Sequence, residues 1–267
     1  MAAPLYDAHA HFAAPALQQH WQQISHDLEK IDLKYAVVNG TSPADWPAVL
    51  QLAKSEPHMI PAIGMHPWKV NDAPTDWQAQ FLQALNRGAR VIGEVGLDKW
   101  REGYDLERQQ TAFRWQLAQA TERNLPISIH CLKAIGPLIE TLRGKPLPKR
   151  GFHLHAYNGP VELIPELAEL GAYFSFNAGQ LRTVKSKAPG RMCAVPAERI
   201  LIETDAPDML PATSLRSFDL PKYPRGHALA HPATLIDGYT AVAHLRAAPI
   251  ESLRQQVASN FERYFLS

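Results

Sequence analysis

Short apolar runs rich in β-branched residues recur along the chain at 5–9, 35–40, 60–65, 91–95, 127–130, 152–157, 172–176 and 200–205. Each has the length and composition of a buried strand. Helical periodicity fills the gaps. Residues 104–123 place Leu106, Phe113, Leu117 and Ala120 on one stripe, with Arg108, Arg114, Glu122 and Arg123 off it. Asn124 and Pro126 stop that helix and lead into the next strand. The last helix begins at Pro249, a favoured first-turn residue, and repeats Ile250, Leu253, Val257, Phe261 and Tyr264. Strand and helix thus alternate about every 30 residues, the rhythm of parallel βα units. Eight units fit one (β/α)8 TIM barrel spanning residues 1–267; an open doubly wound sheet is the rival.

The polar residues separate the two folds. An open sheet gathers its chemistry near one switch point, whereas a barrel gathers it from many strands at the C-terminal mouth. Here His66, Glu94, His130, His155 and Asp205 stand at the C-terminal ends of five predicted strands. His9 and His11 end a sixth. Being two residues apart they share one face, about 7 Å apart along the strand, as two chelating imidazoles require. The barrel is therefore expected. Residues 207–232, with six prolines and glycines among them, form a long loop after the last strand that would overhang the mouth.

Composition changes this picture little. Hydrophobic residues make up 46%, enough for a substantial core, and 27 Lys+Arg against 26 Asp+Glu leave a net charge of +1. A polyanion would have to be held by a local patch. Lys185, Lys187, Lys222 and Arg225 lie in late loops and are candidates for phosphate contact, ordinary solvated charge being the simpler reading of each. Two cysteines, Cys131 and Cys193, make no disulfide framework and fit a reducing compartment. With no apolar run long enough to span a bilayer and no signal-type start, a cytoplasmic protein without membrane contact or an obligatory protein partner is expected.

Glu94 sits in the apolar run Val91-Ile92-Gly93-Glu94-Val95-Gly96-Leu97-Asp98, where a buried carboxylate needs a compensating charge. A cation satisfies that need better than a salt bridge does. His153 and His155 share a face, and His155, nearer the strand end, is the one expected at the mouth. Glu203 and Asp205 also share a face. His66 reads as a substrate contact, and Asp98 and Glu203 join it as candidates for that role.

Taken in order, Asp7-Ala8-His9-Ala10-His11, Gly64-Met65-His66-Pro67, Gly93-Glu94-Val95-Gly96-Leu97-Asp98, Arg108-Gln109 near Phe113, His155-Ala156-Tyr157-Asn158-Gly159, Glu203-Thr204-Asp205-Ala206-Pro207 and the closing Asn260-Phe261-Glu262-Arg263-Tyr264-Phe265 resemble the TatD family of metal-dependent hydrolases, often described as deoxyribonucleases. The likeness spans nearly the whole chain. It implies a TIM barrel with two divalent cations, in which His9, His11 and Asp205 hold one, His130 and His155 hold the other, and Glu94 bridges them. Pro207-Asp208-Met209-Leu210-Pro211 replaces the family's usual Pro-Tyr-Leu, and Ala230-His231-Pro232 its Asn-Glu-Pro, so the mouth departs while every ligand position is kept. Mixed imidazole and carboxylate ligation suits Zn, Mn, Co or Fe, with Mg able to support activity.

The expected chemistry is hydrolysis by water activated between two cations about 3.5–4 Å apart, with Glu94 and Asp205 as catalytic residues and Asp205 accepting or orienting the water's proton. DNA ends are the first substrate; an amidohydrolase-type reaction on a small phosphoester, amide or lactone is the second. Many amidohydrolases bridge their metals with a modified lysine after the fourth strand, where this chain has Glu94. A purely structural metal site would be expected to use cysteines.

Overall fold

The computed structural model describes residues 2–183, 186–221 and 228–267. Eight strands run in sequence order in one parallel sheet: β1 Leu5–Ala10, β2 Leu33–Asn39, β3 Met59–Ile63, β4 Val91–Asp98, β5 Ile127–Leu132, β6 Phe152–Leu154, β7 Ala172–Phe176 and β8 Ile200–Ile202. The ends of the sheet meet. Asp205 N–H donates to His9 O at 2.9 Å and His11 N–H to Ala206 O at 2.8 Å, while Asp7 accepts from the Thr204 backbone (3.0 Å) and hydroxyl (2.6 Å). The barrel, and not the open sheet, is the fold.

Alternation along each strand sorts the core into two parts. Phe152, Leu154, Phe174, Phe176, Ile200 and Ile202 pack outward against helix residues such as Phe113, Leu117 and Val242. The opposite faces contribute Tyr6, Val37, Ile60, Tyr173 and Leu201, which join Phe261, Tyr264 and Phe265 from the chain's end. The Tyr264 hydroxyl bonds both the N–H and the C=O of Ile127, at the start of β5 (3.0 and 2.8 Å), so this apolar plug closes the end opposite the mouth.

Two buried amides fix helix Leu106–Arg123 to the strand ends that carry the site. Gln109 pairs with both backbone groups of Asp98 (2.8 and 2.9 Å), and Gln116 does the same for Met65 (2.7 and 3.3 Å). Such paired bonds leave no buried backbone group unsatisfied where two strands end. Gly64 is required by close approach: a Cβ there would lie 2.3 Å from the Glu94 carbonyl oxygen. Gly96 has φ 139°, and a Cβ would lie 2.0 Å from the His130 carbonyl oxygen. Both glycines therefore let the neighbouring strands bring ligand-type side chains together.

Several predicted strands end early, the run 60–65 at Ile63 among them. The run 152–157 stops at Leu154 and the run 200–205 stops at Ile202, because Ala156 (φ 43°) and Asp205 (φ 57°) are left-handed. His155 and Asp205 accordingly sit just past their strands, in the loops. Pro207, Asp208 and Met209 overhang the mouth as expected, whereas Lys185, Lys222 and Arg225 lie outside the described residues. Among the described residues no helix is long and apolar enough to cross a membrane.

Candidate metal centre

A cavity of about 470 Å³ opens at the C-terminal ends of the strands, and His11, His66, Glu94, His130, His155 and Asp205 all line it. His9 lies beneath, fully buried. Glu94 stands at the centre. Its Oε2 is 3.5 Å from His9 Nε2 and 3.2 Å from His11 Nε2, and Asp205 Oδ1 is 3.7 and 3.6 Å from the same two nitrogens. A tetrahedron of donors about 2.1 Å from a cation has an edge of roughly 3.4 Å, so these spacings suit one ion. On the other side, Glu94 Oε1 is 2.9 Å from both His130 Nδ1 and His155 Nε2, which are 3.2 Å apart.

Which nitrogen is free to bind follows from what the other one does. His11 Nδ1 lies 3.0 Å from the Asn39 carbonyl, which only accepts, so Nδ1 keeps its proton and Nε2, 3.2 Å from Glu94 Oε2, is the nitrogen a cation would take. His130 Nε2 lies 2.8 Å from Asp98 Oδ2, so Nδ1, facing Glu94 Oε1 at 2.9 Å, is the nitrogen whose proton a cation would displace. His66 is the opposite case. Its Nδ1 accepts the Trp68 N–H at 3.1 Å, leaving a proton on Nε2, which points at Glu94 Oε1 from 3.2 Å. His66, Glu94 and His130 have the spacing of a ligand triad, yet His66 offers a donor there and not a lone pair. His9 Nε2 is buried without a hydrogen-bond partner among the described residues, the condition expected of a nitrogen awaiting a cation.

The electrostatics have the same centre. Burial works to raise the Glu94 pKa, but His66, His155, His11 and His130 overcome it and hold the carboxyl well below its usual range. Burial opposes charge on His11, yet Glu94 and Asp205 lift it to about 9. Burial also opposes charge on His130, which Asp98 and Glu94 raise, and on His155, which Glu94 and Glu203 raise well above the ordinary value. Burial, helped by Glu203 and Glu94, pushes Asp205 up to about 7 against the pull of His155 and His11. A pocket that gathers protons this readily is one a divalent cation can enter by displacing them.

Asp98 and Glu203, expected to touch substrate, do not line the cavity. Both are buried. Asp98 holds His130 with one oxygen and the Trp100 N–H with the other (2.7 Å). Glu203 accepts from the Ala156 N–H (2.9 Å), Asn177 Nδ2 (3.0 Å) and the Ser175 hydroxyl. Sequence reasoning passed over Asn39, Ser128, Ser175 and the aromatic wall of Trp68 and Trp100, whose rings lie 6.2 Å apart at the cavity with Arg101 over Trp68. Small polar residues inside apolar strands leave no periodic trace, and the two tryptophans are separated by more than 30 positions.

Residues 6–266 match the family described as TatD related DNase. YcfH of Escherichia coli K12, named an uncharacterized metal-dependent hydrolase, is 27% identical across 98% of this chain and 95% of its own. A protein of Erwinia tasmaniensis named 3'-5' ssDNA/RNA exonuclease TatD is 32% identical over 86% of this chain and 87% of its own. The crystal structure of YjjV, a TatD homolog from E. coli K12, superposes over all of both chains with a TM-score of 0.89 at 24% identity.

Proposed function

The chain belongs to the TatD-related DNase family and is a metal-dependent hydrolase, and from that premise we propose that it cleaves phosphodiester bonds at single-stranded DNA ends with two divalent cations. The observation that carries this reading is the division of donors about Glu94: one oxygen faces His9 and His11 beside Asp205, and the other faces His130 and His155. His9, His11 and Asp205 would hold one cation, His130 and His155 the second, and Glu94 both. When bound, the cations supply Lewis-acid stabilisation of charge on a phosphoryl oxygen and make water acidic enough to react at neutral pH.

The chain's own groups do the rest. Asp205 lines the cavity at its overhanging side and orients the attacking water, accepting its proton. The His66 Nε2–H, which faces Glu94 Oε1 at 3.2 Å, would turn to a non-bridging phosphoryl oxygen once Glu94 holds the cations, its substrate contact. Asp98 and Glu203 act from behind, one orienting His130 and the other flanking His155. Lys69 adds a positive charge at the rim, and Trp68 and Trp100, 38% and 56% exposed, offer aromatic faces to bases. Base–aromatic stacking is worth about 1–3 kcal/mol per base, so Trp100→Ala is expected to raise KM for an oligonucleotide about 5- to 150-fold. Turnover of a small aryl phosphodiester, measured in parallel, should stay within about twofold, since it has no base to stack.

The test of the reaction is direct. Metal-reconstituted protein is incubated with labelled single- and double-stranded DNA and with a panel of small phosphoesters, amides and lactones. A ladder of shortened single strands, abolished by EDTA, is expected. Turnover confined to an amide or lactone would sink the phosphodiesterase reading.

Metal binding should also depend on pH in a defined direction. The raised pKa of His11 means that its bound proton stabilises the metal-free fold fully below about 6.5, and that this contribution is lost as pH rises through about 9. A cation must displace the proton, so its apparent affinity rises with pH across that window, by up to ~10-fold per unit for each proton released. Calorimetry of zinc binding in buffers of different protonation enthalpy should report net proton release at pH 7.

A further inference from the structure

His153 occupies the barrel interior with both ring nitrogens engaged, yet it points at neither the cavity nor solvent. Its Nδ1 lies 3.1 Å from Ser128 Oγ, which is 2.9 Å from His9 Nδ1. Its Nε2 lies 2.6 Å from Ser175 Oγ, whose hydroxyl bonds Glu203 Oε2. The rings of Tyr264 and Phe265 close the space below (centroids 6.4 and 5.8 Å away). Five side chains, drawn from β1, β5, β6, β7 and the segment after β8, thus form one unbroken line across the barrel floor.

The line has a direction. Glu203 accepts on both oxygens, Oε1 from the Ala156 N–H and Asn177 Nδ2 and Oε2 from the Ser175 hydroxyl, with His155 Nδ1 3.9 Å from Oε1, the pattern of a carboxylate, which donates nothing. Ser175 therefore spends its single proton on Glu203 and can only accept from His153, so His153 carries its proton on Nε2. His153 is wholly buried, and among the described residues no carboxylate touches it, so it is a neutral imidazole whose Nδ1 accepts. Ser128 must donate to that nitrogen, and its oxygen then accepts from His9. His9 is left with its proton on Nδ1 and a lone pair on Nε2, the buried atom without a partner that faces Glu94 and Asp205.

We propose that the line Glu203–Ser175–His153–Ser128–His9 is a one-way tether that fixes the tautomer of His9 and aims its Nε2 lone pair at the first cation, with His153 and Ser175 as positioning residues. This rests on the metal-centre reading above. It explains why polar side chains are retained inside the barrel: every polar atom along the line is paired except His9 Nε2, the one aimed at the cation.

Two readouts test it without any substrate, so its failure is separable from failure of the phosphodiesterase reading. In metal-free protein labelled with 15N-histidine, long-range proton–nitrogen spectra, with His9 assigned by loss in His9→Gln, should show His9 protonated on Nδ1. A His9 protonated on Nε2 would reverse the line and overturn the proposal. Ser175→Ala removes the anchor without touching any candidate ligand. It is expected to let His9 mix tautomers and to weaken zinc binding about 10- to 100-fold, read by chelator competition, with the melting transition retained. Ser175→Thr, which keeps the hydroxyl, should restore most of the affinity. A folded Ser175→Ala with unchanged His9 shifts and unchanged zinc affinity would refute the tether. Should that variant fail to fold, the wild-type spectrum alone decides the direction.

Discussion

Glu94→Gln protein is expected to fold, to lose both proposed metals, and to fall at least ~10³-fold in turnover of any substrate the wild type accepts. The substitution is nearly isosteric, so the packing around Gly64, whose missing Cβ admits the Glu94 backbone, is undisturbed. What changes is charge. One carboxylate lies within 3.5 Å of nitrogens from His9, His11, His66, His130 and His155. Among the described residues its two oxygens face both donor groups. An amide offers one weak acceptor and one donor, so it can neutralise neither cation and must turn an N–H toward one set of lone pairs. The imidazoles that Glu94 keeps protonated in metal-free protein would release their protons at lower pH, and the fold should survive with a loss of order 1–3 kcal/mol. Metal content by mass spectrometry, a thermal melt and turnover on one batch check this. A well-folded Glu94→Gln protein that keeps two metals and wild-type activity would remove Glu94 from the bridging position.

The alternation of strands and helices was legible because its cause is periodic, and the polar residues at many strand ends then favoured a barrel over an open sheet. Eight β-branched runs separated by amphipathic stretches imply parallel βα units whatever the loops do. The ligand-type residues His9, His11, Glu94 and His130 were legible for a related reason: each stands in or just after a strand where an apolar neighbourhood makes a polar side chain conspicuous. His155 and Asp205 were located by position while their local backbone was misjudged. Alternation extends a strand through any residues of suitable type, and it cannot register the left-handed turns at Ala156 and Asp205 that end β6 and β8. Those turns matter, since both residues sit just past their strands and line the cavity there. The layer beneath was invisible. Ser128 and Ser175 look like neutral strand residues, and His153 like a failed copy of His155, until three dimensions join them into one line. Asp98 and Glu203 were recognised as important by type, but only burial shows that they face other protein groups and not the cavity.

Asp205→Asn should separate the two proposed cations. Asp205 has φ 57°, a region where asparagine is among the few side chains accommodated at little cost, so the turn after β8 is preserved. The same change to alanine would add backbone strain and obscure the result. Asparagine keeps the volume and the link of the residue 205 N–H to His9 O (2.9 Å), and it removes the burial penalty that pushes the Asp205 carboxyl up to about 7. Stability should therefore hold or rise slightly. Function should not. The proposed cation beside His9 and His11 would lose its second carboxylate and the attacking water its proposed proton acceptor, a contribution of about 10²–10⁴-fold in rate. His130, His155 and Glu94 are untouched, so the second cation should remain bound: metal content falls from two toward one, where Glu94→Gln falls toward none. The two variants thus make opposite claims about stoichiometry with similar claims about activity. Equal metal loss in both would mean that the ions bind as a single unit, and the division of donors about Glu94 would no longer describe the site.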